Sequence, residues 1–359
     1  MGGGPIISDN IIHNNISNRG AGIYILEGRA TIRNNIFSNN YCWDVLGGLG
    51  GGICAYSSDL EVANNIFYQN TVSIIPVKPP PFPKYPSGGG LMWRFCSGTI
   101  TNCVFVENLA ATGENTYPQG CGAWVCDCSA GGVVMSNCIA WGNTGGDSVG
   151  VDLAVNYSLL QEVFPGTGNI TGNPQLLISG IQFVLDATSP CIDAGDNSAP
   201  GIQSTDFSGM PRVLDGDGNN TSIVDMGANE FLMLSADTYA LSESAGGSIN
   251  LFLNAGPDDA FRNYLILGSV SGTAPGTPLP GGLILPLNWD GVTYAIWAMV
   301  NSPALIDFLG VLDAEGQADA QLNIGPLPAG SIGTVFDFAF TCNNPFNIAS
   351  HPMEFVVVP

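Results

Sequence analysis

Residues 32–40 read IRNNIFSNN, and this pattern of an apolar strand that ends in asparagine decides the fold. It recurs at residues 7–15 (ISDNIIHNN), 62–70 (VANNIFYQN), 100–108 (ITNCVFVEN) and 135–143 (MSNCIAWGN). A second element, a glycine step followed by a strand, occurs as GAGIYILEG (20–28), GGGICAYSSD (50–59), GGGLMWRFCS (88–97), GCGAWVCDCS (120–129) and SVGVDLAVN (148–156). Because the two elements alternate, the first part of the chain is a repeat structure.

The spacing within each repeat separates a constant half from a variable half. From the last glycine to the anchor residue it is 13 residues for Gly22–Asn35, Gly52–Asn65 and Gly90–Cys103, and 16 for Gly122–Cys138. From each anchor to the next glycine it varies between 12 and 25 residues. A stacked solenoid behaves in this way, because each coil must lie on its neighbour while a loop at one corner is free. Short β segments without a helical period predict a parallel β-helix.

The NNIFSNN-type repeats resemble the right-handed parallel β-helix repeats of the pectate-lyase-like superfamily. The resemblance covers residues 1–165 and implies the fold. It implies no single activity, because that architecture hosts lyases, hydrolases, adhesins and tailspikes alike.

Two further regions follow the repeats. Residues 166–231 contain a closing coil and then SPCIDAGD, DFSGMPR, DGDGNN and VDMGANEF, an Asp-rich stretch that resembles the choice-of-anchor Q segment of secreted bacterial surface proteins. Residues 232–359 show short alternating strands between Gly and Pro turns and no helical pattern, which predicts a β-sandwich. The string NAGPDDAFRNYLILGSVSG resembles a C-terminal module of secreted proteins from planctomycete-like bacteria. The predicted class is therefore all-β.

Composition excludes several classes of function. The chain of 359 residues has 8 basic and 30 acidic residues and a formal charge of −22, so it cannot neutralise the phosphates of a nucleic acid. It is 45% apolar and 11% charged, which predicts a large core. No apolar run reaches the roughly 18 residues of a membrane span.

The first residues, MGGGPIISDN, show no signal-peptide pattern and enter directly on a repeat. Two explanations are open. The first coil pairs head-to-tail with another copy, because an unpaired strand edge is a template for pairing. Alternatively, a preceding segment completes the coil.

Aligning the coils by their last glycine predicts which side chains share a face. The predicted core row is Ile23, Ile53, Leu91, Ala123 and Val151. The predicted outer face holds Tyr24, Cys54, Met92, Trp124 and Asp152, together with Tyr56, Arg94 and Cys126. Of these, Tyr24, Tyr56, Arg94 and Trp124 are candidate carbohydrate contacts, since aromatic rings pack on the apolar faces of sugars. The alternative is an exterior ladder that only stabilises the sheet.

Cysteines fall partly in register. Cys96 and Cys128 share one row on successive coils, and Cys103 and Cys138 share another. Strands about 4.8 Å apart lie within the usual Cα range of a disulfide, so these four are disulfide candidates, which would suit an oxidising extracellular location. The alternative is an internal ladder of reduced cysteines that replaces the asparagines of earlier coils.

The sequence offers little for catalysis. Candidate acids on the β-helix are Glu27, Glu107, Asp127 and Asp152. Glu27 and Asp127 share a row but lie two coils apart, at roughly 10–14 Å, whereas glycosidic carboxylate pairs lie about 5–9.5 Å apart. We therefore predict no catalytic residue.

A calcium site is predicted in the Asp-rich region. Asp215, Asp217 and Asn219 place oxygen ligands at alternating positions of a Gly-rich turn, the ligand type that Ca²⁺ favours. The turn departs from an EF-hand loop at Asn220, and Asp225 would close the site. The alternative is a solvated Asx turn.

Together these patterns predict a non-enzymatic protein, secreted or at the bacterial cell surface, with a structural or adhesive role that includes head-to-tail assembly into fibres. The expected partners are sister subunits or an extracellular glycan, with no nucleic acid and no membrane insertion. The alternative is a polysaccharide-binding or polysaccharide-degrading β-helix protein of the lyase or glycosidase kind.

Overall fold

The structure, a computed structural model, describes residues 4–44, 48–74, 88–111, 122–128, 132–145, 148–151 and 153–359. The chain forms two compact units. The first unit comprises residues 1–213 and 223–230, and the second comprises residues 214–222 and 231–359. The Asp-rich region, predicted as a separate middle segment, is thus divided between the two units.

The first unit is a parallel β-helix. Its described strands are β1 (Ile6–Ser8), β2 (Ile11–His13), β3 (Ile16–Ser17), β4 (Ile23–Leu26), β5 (Arg29–Arg33), β6 (Ile36–Ser38), β7 (Tyr41–Asp44), β8 (Ile53–Tyr56), β9 (Asp59–Ala63), β10 (Ile66–Tyr68), β11 (Thr71–Ile74), β12 (Leu91–Arg94), β13 (Ser97–Thr101), β14 (Val104–Val106), β15 (Leu109–Ala111), β16 (Trp124–Asp127), β17 (Val133–Ser136), β18 (Ile139–Trp141), β19 (Ser148–Val151), β20 (Leu153–Asn156), β21 (Leu159–Leu160), β22 (Ile170–Thr171), β23 (Leu176–Ser179) and β24 (Gln182–Leu185).

The coils pass through four parallel sheets. Sheet A has the order β1-β5-β9-β13-β17-β20, sheet B β2-β6-β10-β14-β18-β21-β22, sheet C β3-β7-β11-β15 and sheet D β4-β8-β12-β16-β19. Strands β23 and β24 form an antiparallel hairpin after the last coil. The repeat length varies mainly where the chain passes from sheet C to sheet D, as the spacing predicts. The fourth coil also has three extra residues between β16 of sheet D and β17 of sheet A.

Residues in the left-handed backbone region turn the corners of the coil. Between sheets A and B four of them are asparagines, Asn34, Asn64, Asn102 and Asn137, with φ between 50° and 54°; Asp9 and Tyr157 hold this corner in the first and last coils. Asparagine adopts this conformation at lower cost than most residues. The recurrence of asparagine at the strand ends therefore has a conformational cause.

At the corners between sheets A and B and between sheets B and C, the residue after the left-handed one builds a hydrogen-bonded ladder. Between sheets B and C this ladder consists of Asn15, Asn40, Asn70, Asn108 and Asn143. Each side-chain oxygen accepts the backbone N–H of its counterpart one coil earlier, at 2.9–3.2 Å. The amides also donate to carbonyls, as Asn108 does to Phe67 at 2.9 Å. The ladder thus satisfies buried backbone groups without water.

Cysteine and serine continue a second ladder, between sheets A and B. It begins with Asn10, Asn35 and Asn65 and goes on with Cys103, Cys138 and Ser158. The backbone N–H of Cys103 donates to Cys138 Sγ at 3.3 Å, and that of Cys138 donates to Ser158 Oγ at 3.1 Å. Sulfur and hydroxyl groups therefore replace the amide oxygen of the earlier coils.

The predicted disulfides are not present in the described structure, where Cys96, Cys128, Cys103 and Cys138 are free thiols. The predicted register is confirmed, since Cys96 contacts Cys128 and Cys103 contacts Cys138. Each ladder thiol instead hydrogen-bonds to a carbonyl, as Cys138 does to Ser136 at 3.2 Å, and burial raises the pKa of Cys138. The reduced ladder is the arrangement found, so these cysteines no longer support an oxidising location.

Aromatic rings stack through the core beside the ladders. Phe37, Phe67 and Phe105 lie nearly parallel, with centroids 5.0 and 4.6 Å apart, and Trp124 packs on Phe105 at 5.2 Å. The glycine step leaves room for them, because a Cβ on Gly52 would lie 2.9 Å from the Phe67 ring.

The register of the fourth glycine step differs from the prediction by one residue. Leu91 pairs with Trp124 rather than with Ala123. The reason is that Ala123, and not Gly122, takes the place that Gly90 has in the preceding coil. Trp124 therefore points into the core and is fully buried, so its predicted place on the outer face is wrong.

Residues 186–213 and 223–230, here named the strap, lie along the corner between sheets A and B. The side chains of Asn64, Asn102 and Asn137 hydrogen-bond to the strap backbone at 2.8–3.1 Å. The doubled asparagine of the repeat therefore has two tasks. The first residue turns the corner and binds the strap, and the second builds the ladder.

A buried charge network joins the strap to the β-helix. Arg212 forms a 2.9 Å ion pair with Glu230 and donates to Asn64 Oδ1 at 2.7 Å. Asp206 and Asp225 are buried in the same strap, and Asp206 accepts the N–H of Glu230. Burial and the charge of Asp225 raise the pKa of Glu230 to about 9, although Arg212 opposes them. Burial also raises the pKa of Asp206.

The second unit is a β-sandwich, as predicted. Its elements are β25 (Leu234–Ala236), β26 (Ala240–Ser242), β27 (Gly247–Asn254), β28 (Asn263–Ser269), β29 (Thr277–Pro278), β30 (Ile284–Leu285), α1 (Gly291–Met299), β31 (Leu305–Ile306), β32 (Leu309–Val311), β33 (Gln317–Ile324), β34 (Val335–Cys342), β35 (Ile348–Ala349), β36 (Met353–Val358) and two 3₁₀ turns (Pro257–Asp259, Pro280–Gly282). One sheet has the order β25-β27-β33-β31, and the other has β26-β36-β34-β28-β32.

Helix α1 was not expected in a region that shows no helical pattern. Its N-terminus has a capping box, in which the Asp290 carboxylate accepts the N–H of Thr293 while the Thr293 hydroxyl accepts that of Asp290. This local signal starts the helix. Among the described residues, no helix has the length and apolar character that a membrane crossing requires.

Replacing Asn108 with alanine is expected to destabilise the first unit by about 3 kcal/mol, because buried groups on the neighbouring coils lose their partners at about 1–3 kcal/mol each. Chemical denaturation followed by circular dichroism measures the change. The exposed Asn18→Ala is the control and should stay within about 0.5 kcal/mol. Equal losses in both variants would contradict the ladder.

The raised pKa of Glu230 makes stability depend on pH. The folded state binds the proton more tightly than the unfolded chain does, so this contribution is complete below the ordinary pKa of 4.5 and is lost as the pH rises towards about 9. Stability should fall by up to about 1.4 kcal/mol per pH unit within that window. Denaturation at several pH values measures the slope. Glu230→Gln should flatten it, whereas the exposed Glu162→Gln should not.

Candidate functional site

The outer face of sheet A carries an open groove with a volume of about 450 Å³. Its polar lining comes from Arg29 and Thr31 on β5, Asp59 and Glu61 on β9, and Thr99 on β13. This surface, named the sheet A groove, therefore crosses three successive coils of the β-helix.

The alternation of each strand aims these side chains outward. In the register of β5 and β9, Arg29 lies beside Asp59 and Thr31 lies beside Glu61. In the register of β9 and β13, Glu61 lies beside Thr99. The residues between them, such as Leu60, are buried in the core. Side chains two residues apart therefore line up in two rows across the groove.

The groove combines donors and acceptors. Arg29 lies 3.2 Å from Asp59, the Ser97 hydroxyl donates to Asp59 at 3.0 Å, and Gln203 of the strap donates to Glu61 at 3.2 Å. The Arg29 and Asp59 side chains are 57% and 48% exposed, so their ion pair adds little to stability. Both groups remain accessible to a polar ligand.

The sequence analysis missed this pair of carboxylates. Asp59 and Glu61 lie two residues apart on one strand, so both side chains leave the same face, with their Cα atoms roughly 6.6 Å apart. The available signal was the spacing in DLEVA, where two acids share the outward face of a repeat strand. Candidate acids were compared between coils, as with Glu27 and Asp127, rather than along one strand.

The structure brings three of the four predicted carbohydrate contacts to the outer face of sheet D. The rings of Tyr24 and Tyr56 have centroids 6.4 Å apart, and Arg94 hydrogen-bonds to the Tyr56 side chain. Burial and Cys54 raise the pKa of Tyr56, whereas Arg94 opposes that shift. Arg19 adds a hydrogen bond to Tyr24. We name Tyr24, Tyr56 and Arg94 the sheet D strip.

The sheet D strip is smaller than predicted. Trp124 lies in the core and adds no ring to it. The predicted outer-face residues Cys54 and Met92 are buried beneath Leu49 and Tyr56. Asp152 and the side chains of Cys126 and Asp127 lie outside the described part of the chain.

The candidate calcium ligands are placed in both units. Asp215, Asp217 and Asn219 belong to the second unit and Asp225 to the first. The Asp215 carboxylate accepts the N–H groups of Asn219 and Asn220 at 3.0 and 2.6 Å, as in an Asx-type turn. Burial, together with the charge of Asp217, raises the pKa of Asp215. A bound cation would relieve that repulsion, and Ca²⁺ binding stays a prediction.

Comparison with known proteins supports the architecture of the first unit. Residues 2–158 match a family model described as the right handed beta helix region. No curated protein and no solved structure matches the chain. The predicted right-handed parallel β-helix is therefore confirmed, while the likenesses to a choice-of-anchor Q segment and to a planctomycete C-terminal module remain resemblances.

Proposed function

We propose that this is a non-enzymatic structural or adhesive protein of the bacterial cell surface or extracellular matrix, and that its β-helix holds a polysaccharide. The sheet A groove is the observation that carries the proposal. It presents charged and hydroxyl groups on three neighbouring strands of a rigid sheet. Sites on regular elements hold their geometry better than sites on loops.

The chemistry of the groove suits sugar hydroxyls, which both donate and accept hydrogen bonds. Arg29 and Thr31 offer donors, while Asp59 and Glu61 offer acceptors. The groove has one basic and two acidic side chains, and this excess of negative charge disfavours a strongly anionic polymer, as does the net charge of −22 on the chain. A neutral or weakly charged polysaccharide fits these groups best.

Binding is favoured over cleavage. Asp59 already accepts from Arg29 and Ser97, and Glu61 accepts from Gln203. An acid–base pair needs one carboxyl group that protonates the leaving oxygen and another that activates water. Two carboxylates held by donors are better suited to positioning a ligand.

Glu61→Gln combined with Arg29→Ala is expected to weaken polysaccharide binding about tenfold or more, because each lost hydrogen bond removes roughly 0.5–1.5 kcal/mol. Affinity electrophoresis of the full chain in gels with neutral and uronate polysaccharides measures the effect. Arg94→Ala tests the sheet D strip in the same gels.

Glu162→Gln, an exposed change outside the groove, is the matched control and should migrate like the parent. Reducing-end and unsaturated-product assays on the same polymers should stay at background. Unchanged migration of the double variant would exclude the groove, and released product would exclude a purely binding role.

We propose end-to-end assembly as a second function, which would use the edge of the first described coil. In the described residues, β1, β2 and β3 each pair with a strand on one side only. Ile6, Ile11 and Ile16, which lie on these strands, are 62%, 53% and 71% exposed. Such an edge can pair with a strand of another copy.

Electron microscopy of the chain with Ca²⁺ and with a chelator tests assembly and the proposed ion together. Regular fibres are expected, and Ile11→Lys combined with Ile16→Lys should reduce them to single particles because charges cannot be buried between coils. Phe95→Lys, which changes an exposed apolar side chain on a middle coil, is the control and should leave the fibres intact. Single particles from the parent chain under both conditions would exclude assembly.

A further inference from the structure

Helix α1 in the second unit exposes an unusual set of side chains. Its sequence, GVTYAIWAM, is apolar on all sides, and such helices are ordinarily buried. Only Thr293 and Ile296 are buried here, while Tyr294 and Trp297 are 59% and 53% exposed. Trp289, just before the helix, is 51% exposed.

We propose that Trp289, Tyr294 and Trp297 form a second carbohydrate-binding surface, which takes an uncharged polysaccharide. We name these residues the α1 aromatic surface. It belongs to the β-sandwich and does not depend on the sheet A groove of the β-helix.

The rings are grouped along one stretch of the surface. Tyr294 and Trp297 are three residues apart on the helix, and their centroids are 6.1 Å apart with the planes tilted by 44°. Trp289 precedes the N-cap Asp290 and Tyr294 is the fourth helical residue, the two positions that a hydrophobic staple uses. Tilted neighbouring rings suit a single curved sugar chain better than a flat crystalline face.

The helix that carries the rings is held rigidly. Asp290 Oδ1 accepts the backbone N–H groups of Val292 and Thr293 in the first turn of the helix. Asp290 Oδ2 accepts the N–H of Val270 and the hydroxyl of Ser269, next to β28. Burial opposes ionisation of Asp290, but these hydrogen bonds outweigh it and hold the pKa of its carboxyl group well below the usual value. A ligand would therefore meet rings on a preorganised support.

Ile296 fixes the opposite side of the helix. It packs directly on β28 at Gly268, where an added Cβ would lie 2.8 Å from the Ile296 side chain. The helix is thus anchored by a small buried face, and its aromatic face remains unpartnered in the described structure.

The exposed area of the three rings and the shortage of basic residues in the second unit indicate which kind of ligand the α1 aromatic surface binds. Three aromatic side chains of about 150–250 Å² each, half exposed, offer roughly 300 Å², well below the approximately 800 Å² that each partner buries in a stable protein complex. The second unit has a single Lys or Arg, Arg262, and it pairs with Asp259. Anionic polymers and anionic membranes would find no counter-charge there, whereas an uncharged sugar needs none.

Tyr294→Ala combined with Trp297→Ala in the full chain tests the proposal. The probes are the neutral polymers β-glucan and xylan in affinity gels. Polygalacturonate is the charged comparison, and crystalline cellulose and chitin in sedimentation assays are the flat-surface comparison. We expect retention on at least one neutral polymer and a loss of about tenfold or more in the double variant. Trp289→Ala alone should lower affinity about threefold to tenfold.

Phe252→Ala is the matched control, since Phe252 on β27 is also an exposed ring, at 41%. It should bind like the parent, and all variants should melt like it because the replaced rings are at the surface. Unchanged retention of the double variant, or no retention of the parent on any neutral polymer, would overturn the proposal. So would a double variant that loses self-association or vesicle binding in place of glycan binding.

The groove variant Glu61→Gln combined with Arg29→Ala separates this proposal from the proposed function. If only the groove variant loses retention, the α1 aromatic surface is excluded and the groove stands. If only the aromatic variant loses it, the reverse holds.

Discussion

The β-helix depends on the polar side chain that follows each left-handed corner. A short coil must leave backbone N–H and C=O groups facing its own interior, and an unpaired buried group of this kind costs about 1–3 kcal/mol. Asn40, Asn70 and Asn108 meet this requirement for themselves and for the adjacent coil. The apolar core, with its stacked phenylalanine rings, can then be built between ladders that already fix the register.

The doubled asparagine shows how one motif serves two surfaces. At the corner between sheets A and B, Asn64 binds the strap while Asn65 continues the interior ladder. Through Gln203 the strap also reaches Glu61 in the sheet A groove. The groove is therefore shaped by the repeat and by the segment that covers one of its sides, rather than by a long loop.

The sequence was sufficient for the repeat and its stacking, because the nearly constant spacing from glycine to asparagine marks the half of each coil that must lie on its neighbour. The alternating strands between Gly and Pro turns were sufficient for the β-sandwich. The sequence was insufficient where two neighbouring residues both fit one position of the repeat. Gly122 and Ala123 both fit the last step of the glycine motif. The sequence does not show that Ala123 takes the place of Gly90, which is why Trp124 was assigned to the wrong face.

The candidate sites also include features that the sequence predicts and features that it does not. Register correctly predicted that Cys103 and Cys138 are neighbours, but distance alone does not distinguish a disulfide from two thiols that bind carbonyls. The shared outward face of Asp59 and Glu61 could have been predicted, because side chains two residues apart on a strand lie on the same face. The hydrogen bond of Arg212 to Asn64 could not be predicted from the sequence. The two residues are far apart in the chain, and the strap has no repeat that would indicate which residues it contacts.

The strap also changes how the rod would carry mechanical load. In a solenoid each coil touches only its neighbours, so a pull along the axis can open the weakest junction and then the next. The strap binds Asn64, Asn102 and Asn137 on three coils. Tension across that part of the rod is then shared in parallel between coils and strap, and the section would yield as a block rather than peel one turn at a time.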